Sequence, residues 1–203
     1  MPHDISRAPL KTRFDHLCAV MAGHRFLQKQ GLGNEVPFFI CPYAPEEAVA
    51  FERLRRQLTQ HLGQKGVQVL EINLYDLAIE QLKARGIWEQ VLEVEPDVSK
   101  DELKELLQGV LAPETHLIPA IAERLSSHSF DILFLSGVGE VFPYIRSHNV
   151  LNNLQSTAQE KPTVMFFPGQ YTQSQLSGAS LDLFGRLHDD KYYRAFNIYH
   201  CEV

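Results

Sequence analysis

The chain has 203 residues, 44% hydrophobic and 22% charged, ordinary values for one large globular domain that can bury most of the surface its unfolded form exposes. No apolar run approaches the roughly 20 residues that cross a bilayer, and Met1-Pro2-His3-Asp4 does not read as the start of a signal peptide, so none is expected. A net charge of −6 and a pI of about 5.8 lack the broad basic footprint of a protein that neutralises phosphates, so direct DNA binding is not expected.

In chain order, 6–30 reads as a helix with Phe14, Leu17, Cys18 and Met21 on one face. Gly31-Leu32-Gly33-Asn34 ends it, because glycine and asparagine tolerate the left-handed conformation of a C-cap. Val36 to Cys41 is an apolar run without alternation, the pattern of a strand covered on both faces. Pro37 has no N–H to give a ladder and marks its start. Pro42 to Pro45 turns into a helix over about 46–62 with Phe51, Leu54, Leu58 and Leu62 inward. Its Arg53, Arg55 and Arg56 lie beside Glu46, Glu47 and Glu52, a solvated face. Val67 to Leu74 follows as a strand with one partly wet side, completing a βαβ unit with an expected right-handed crossover.

The middle is helical. Helices are expected over 77–92, over 100–111 and from Pro113 through Leu125, with an acidic face from Glu89 to Glu105. Asp131 to Leu135 is a second buried strand and Asn149 to Gln155 a helix. Pro162 to Phe167 is a third buried strand, closed by Pro168-Gly169 and followed by a looser Gln-, Ser- and Gly-rich stretch. Tyr192 to Tyr199 alternates as a strand at or near a sheet edge. The fold class is α/β: a single three-layer domain over 1–203, with an N-terminal helix over 6–30 and a core over 36–199. Its central sheet is mainly parallel, with an inserted helical section.

The motifs of common chemistry are incomplete. There is no GxxxxGK loop for phosphates, and the strand at 131–135 ends in Ser136-Gly137 where a nucleotide hydrolase would place carboxylates. Gly137-Val138-Gly139 starts a dinucleotide fingerprint, but Phe142 stands at the third glycine position. Amides there, with Arg146, Ser147 and His148 close behind, suit an anion. Ser136 lacks the GxSxG frame of a nucleophile elbow, none of the nine histidines lies in HExxH, and His188-Asp189-Asp190 reads as a polar turn. Cys18, Cys41 and Cys201 are odd in number and far apart, so reduced thiols in a cytoplasmic protein are expected. No catalytic residue, metal or cofactor is expected.

Seven segments share a common order: Phe38 to Tyr43, Leu74 to Leu77, Phe134 to His148, Leu151 to Leu154, Phe166 to Gly169, Leu183 to Leu187 and Tyr192 to Phe196. Together they resemble the BrxB family, a component of bacteriophage exclusion (BREX) defence systems, across about 36–199. The resemblance implies a bacterial cytoplasmic protein without established catalytic activity. Its neighbours would include an adenine-specific DNA methyltransferase, a large ATPase and PglZ, a protein of the alkaline-phosphatase superfamily. The expected role is a non-catalytic adaptor that binds a PglZ-like partner, with other BREX components possible partners, and supports host DNA modification and phage exclusion. The alternative is a binder of a nucleotide or other phosphorylated ligand through the Ser136–Arg146 loop. Ligands of open α/β sheets bind at the C-terminal strand ends, here Tyr43, Ser136 to Gly139 and Pro168-Gly169. The partner- or anion-binding candidates are therefore Ser136, Gly137, Gly139, Phe142, Tyr144, Arg146 and His148, aromatics with arginine being what interface hot spots favour. Arg186 and Arg194 are expected to pair with Asp182, Asp189 or Asp190.

Overall fold

A computed structural model describes residues 5–32, 36–174, 178–185, 187–188 and 195–203. The N-terminal helix is shorter than the expected 6–30: α1 covers Leu10–Ala22 and a single turn, α2, covers His24–Leu27. Pro9 stands at the N-cap, and Gly23 is extended (φ −73°, ψ 139°), breaking the ladder between the two helices. Gly31 has φ +86°, the left-handed conformation expected at the end of this segment, while Gly33 and Asn34 lie outside the described residues.

Strand β1 (Phe38–Tyr43) runs on through Pro42 instead of turning there. Pro37 precedes it and its carbonyl accepts from the Thr163 N–H, a role that needs no donor of its own. Helix α3 (Ala48–Gln64) leads to β2 (Val69–Asn73), and α4 (Leu74–Ala84) follows at once because the Asn73 side chain accepts from the Tyr75 and Asp76 amides. The helix expected over 77–92 is two: Gly86 (φ +68°) separates α4 from α5 (Trp88–Val94). Helix α6 (Lys100–Val110) opens with a reciprocal capping box between Ser99 and Glu102. A wide turn at Pro113–Leu117 enters α7 (Ile118–Ser127), then come β3 (Ile132–Ser136) and α8 (Ser147–Leu154).

Strand β4 (Thr163–Ser174) is twice the expected length. It passes straight through Pro168 and Gly169 and pairs antiparallel with β5 (Gly178–Leu183), which pairs in turn with β6 (Leu187–His188). The stretch expected to be loose is thus partly a hairpin. The last strand, β7 (Ala195–Asn197), lies at the sheet edge. The expected 192–199 strand stops at Asn197, whose side chain accepts from the Tyr199 N–H and starts a 3-10 turn at Ile198–His200, and residues 192–194 are outside the described residues.

The central sheet has the order β2-β3-β4-β1-β7, with every pairing along it parallel. β1 and β2, consecutive in sequence, are therefore separated by β3 and β4. Period-two alternation sends neighbouring residues to opposite faces. Phe39, Cys41, Phe134 and Phe166 meet α1 and α3, while Phe38, Ile40, Leu133, Leu135, Met165 and Phe167 meet α4, α7 and α8. Helix, sheet and helix form three layers, and the helical section α4 to α7 lies between β2 and β3 in the chain.

On the α3 face, Phe134 and Phe166 pack edge to face with ring centroids 4.9 Å apart. Phe134→Ala empties a fully buried site in this layer. The expected loss is about 3–5 kcal/mol of unfolding free energy, read from urea denaturation with the slope unchanged.

Candidate functional site

The C-terminal ends of β1 and β3 and the middle of β4, at Pro168-Gly169, meet around the loop that leaves β3, and the glycines there show how tightly. Gly137 has φ +75°, and a Cβ there would lie 2.2 Å from the Asn73 Oδ1 that caps α4. A Cβ on Gly169 would lie 2.2 Å from the Asp182 carbonyl oxygen of β5. Gly139 sits under the hairpin tip, its Cβ position 3.0 Å from Pro168 and 3.1 Å from the Phe184 ring. Segments far apart in sequence (Leu74 to Asp76, Ser136 to Glu140, Pro168-Gly169 and Phe184-Gly185) thus close on one another at a single edge.

The candidate residues divide between the two layers. Ser136 faces α3: it is buried, and its hydroxyl donates to Glu71 Oε1 at 3.1 Å. Glu71 also pairs with Arg55 of α3. A cavity of about 290 Å³ opens beside this chain of contacts, bordered by Tyr43, Glu52, Arg55, Gly137 and Glu140. Burial raises the Glu140 pKa above the usual carboxylate range; Arg55 opposes that, and Glu52 and Asp76 add to it. Tyr43, stacked on Phe51 at 4.5 Å, is pushed up to about 12 by burial, then by the Glu140 charge. Two carboxylates against one guanidinium make this a poor cradle for an anion.

Phe142 and Tyr144 belong to the other layer, where both are half-buried against the core of α4, α7 and α8. The Tyr144 hydroxyl donates to the Glu140 carbonyl at 3.3 Å, folding the loop back on itself. Arg146 is the N-cap residue of α8 and half-buried, and His148 is buried on that helix. The structure therefore brings Ser136, Gly137 and Gly139 together with the Tyr75 backbone and Phe184; Phe142, Tyr144 and His148 belong to the layer of α4 and α8, with Tyr144 still close to Glu140 and Tyr75. Asp189, Asp190, Arg186 and Arg194 lie outside the described residues. Among the described residues, no three His, Cys, Asp or Glu side chains converge as metal ligands, and no helix is long and apolar enough to cross a membrane.

A larger cavity, about 740 Å³, lies at the ends of β1 and β7 and under the β4–β5 hairpin. Arg13 of α1 reaches it, a residue not picked out from the sequence. The signal was there: Arg13 stands one turn before Leu17 on the inner face of α1. Its Nη2 donates to Glu47 Oε1 at 2.6 Å and its guanidinium lies 5.6 Å from the Phe51 ring centre. Burial lowers its pKa, but the Glu47 hydrogen bond and the nearby Tyr199 and Glu47 groups more than offset this, so the net direction is up.

A family model described as BREX protein BrxB matches residues 70–198. The chain belongs to the BrxB family. The BREX protein BrxB of Bacillus cereus (strain H3081.97) is 33% identical over 193 residues, covering 93% of this chain and 97% of the relative. That of Escherichia coli O9:H4 (strain HS) is 29% identical over 189 residues, covering 93% and 91%. No solved structure matches. As a BrxB-family member the protein is a component of a BREX defence system. The family model begins at Leu70 in β2 and takes in the whole loop after β3 and the β4–β5 hairpin.

Two outcomes are expected of this BrxB-family site. Gly137→Ala must move the Asn73 cap and adopt a left-handed φ, which costs about 1–3 kcal/mol in urea denaturation. The Cys41 thiol is buried, donates to the Tyr199 hydroxyl at 3.6 Å, and is pushed up to about 12 by burial against the opposing effects of Tyr199 and Arg13. A disulfide reagent at pH 8 should label Cys41 only after guanidinium unfolding; labelling of the folded protein at the rate of an open thiol would contradict this burial.

Proposed function

We propose that this BrxB-family protein is a non-catalytic adaptor of the bacterial cytoplasm. It docks a PglZ-like protein of the alkaline-phosphatase superfamily through the C-terminal edge of its sheet, helping to assemble the complex that modifies host DNA and excludes phage. The supporting observation is the exposure of large apolar side chains around the loop after β3. Tyr75 is 42% exposed, Phe184 37% and, at the start of α3, Val49 67%. Tyr75 borders Gly137 and Phe184 borders Gly139, so the tight loop carries one on each side. Aromatic groups on a rigid frame, with Arg146 half-exposed nearby in sequence, are the composition of an interface hot spot.

The alternative, a phosphorylated ligand in the Ser136–Arg146 loop, has less support. The Ser136 hydroxyl is already given to Glu71, and Glu52 and Glu140 border the space beside it.

Co-expression with a PglZ-like partner, followed by size-exclusion chromatography with light scattering, should return a co-eluting complex at micromolar concentration. Tyr75→Ala and Arg146→Ala should keep the circular dichroism spectrum and weaken the complex by about 1 kcal/mol or more each, about fivefold in Kd. Separate elution of the wild-type proteins, or variants that bind normally, would remove this surface from the interface.

A further inference from the structure

The Arg13 cavity adjoins the docking edge, with which it shares Phe184, but is built differently. A guanidinium carries five N–H donors and is costly to bury unless they are used. Arg13 is 2% exposed; its Nη2 donates to Glu47, and its guanidinium also meets the buried Tyr199 hydroxyl. Its Nε and Nη1 are buried and have no hydrogen-bond partner. Packing alone does not call for an arginine here, since the next inner positions of α1 are Leu17, Val20 and Met21.

The side chain instead reaches a cavity of about 740 Å³, within the range of small-molecule sites. This cavity lies where open α/β sheets bind ligands, outside the C-terminal end of β1. One wall is the turn Pro45 to Glu47 that leads into α3, a helix of 17 residues whose N-cap side chain makes no capping bond. Positive partial charge collects at such an end. Arg7 and His200 border the cavity too, and Tyr43 and Phe184 supply aromatic surface. Glu46 and Glu47 oppose an anion; Glu46, like Arg7 and His200, is exposed and its charge is screened by solvent, which leaves Arg13 and Glu47 as the buried and half-buried charges that decide.

We propose that this cavity binds a small molecule of nucleotide size through an oxyanion group seated on the unused donors of Arg13. Phosphate and carboxylate share that chemistry, and the probes separate them.

The test is thermal unfolding of the full chain with inorganic phosphate, AMP, benzoate and, as a neutral control, adenosine. An oxyanion present at about 100 times its Kd should raise Tm by about 5 °C or more. Shifts with phosphate and AMP assign a phosphate, and a shift with benzoate alone assigns a carboxylate. In Glu47→Gln the competing carboxylate is gone, so the same probe should bind at least about threefold more tightly. Arg13→Met keeps the length and apolar contacts of the side chain and should abolish the shift. If Arg13→Met does not fold, Glu47→Gln decides alone: a structural ion pair would only lose stability there, with no gain in anion affinity. The proposal is overturned if no anion shifts either the wild type or Glu47→Gln, if adenosine shifts Tm as much as AMP, or if folded Arg13→Met responds undiminished.

Discussion

Over its first half β4 is held between parallel neighbours, β1 and β3, and over its second half by β5 alone. The change happens at Pro168-Gly169 and depends on Gly169 having no side chain, because the β5 backbone at Asp182 occupies the place of a Cβ. Proline suits the same point: it cannot donate a ladder hydrogen bond, and here the strand leaves the sheet interior. That one backbone contact positions the hairpin, and the hairpin in turn covers Gly139 with Phe184 and roofs the cavity at Arg13. Both proposed surfaces therefore rest on it.

Much of this architecture was readable from periodicity. The unbroken apolar runs at 36–41, 131–135 and 162–167 are interior strands of a parallel sheet, and the stripe Phe51, Leu54, Leu58, Leu62 is the buried face of α3. Three features were not. Pro42 reads as a turn but continues β1, because β7 reaches only as far as Ile40 and leaves Pro42 no ladder to supply on that side. The β4 extension was hidden because glutamine, serine and glycine look like a loop, yet suit an exposed hairpin whose ladder comes from the backbone. Strand order is set by long-range pairing, so the separation of β1 from β2 leaves no local trace.

Of the candidate residues, the glycines were the most legible, since a GxG directly after a buried strand announces close backbone contact. The serine was ambiguous for a physical reason: the same position that exposes a nucleophile also lets a hydroxyl satisfy a neighbouring carboxylate, and here Glu71 takes it. Arg13 was the opposite case. Charged residues are ordinarily assigned to the wet side of a helix, so a guanidinium on the inner stripe is easily passed over, although its burial is costly and calls for a partner.

The pair formed by Arg55 and Glu71 also bears on the flank of the molecule. Among the described strands β2 is an outer member of the sheet, and such a strand offers unused backbone groups to any passing chain. Glu71 lies in the middle of it, tied inward to a helix arginine. A foreign strand added there would draw that ion pair farther from water, a cost set against the backbone hydrogen bonds it would form, so the flank is a poorer template for the edge-to-edge growth that leads to aggregates.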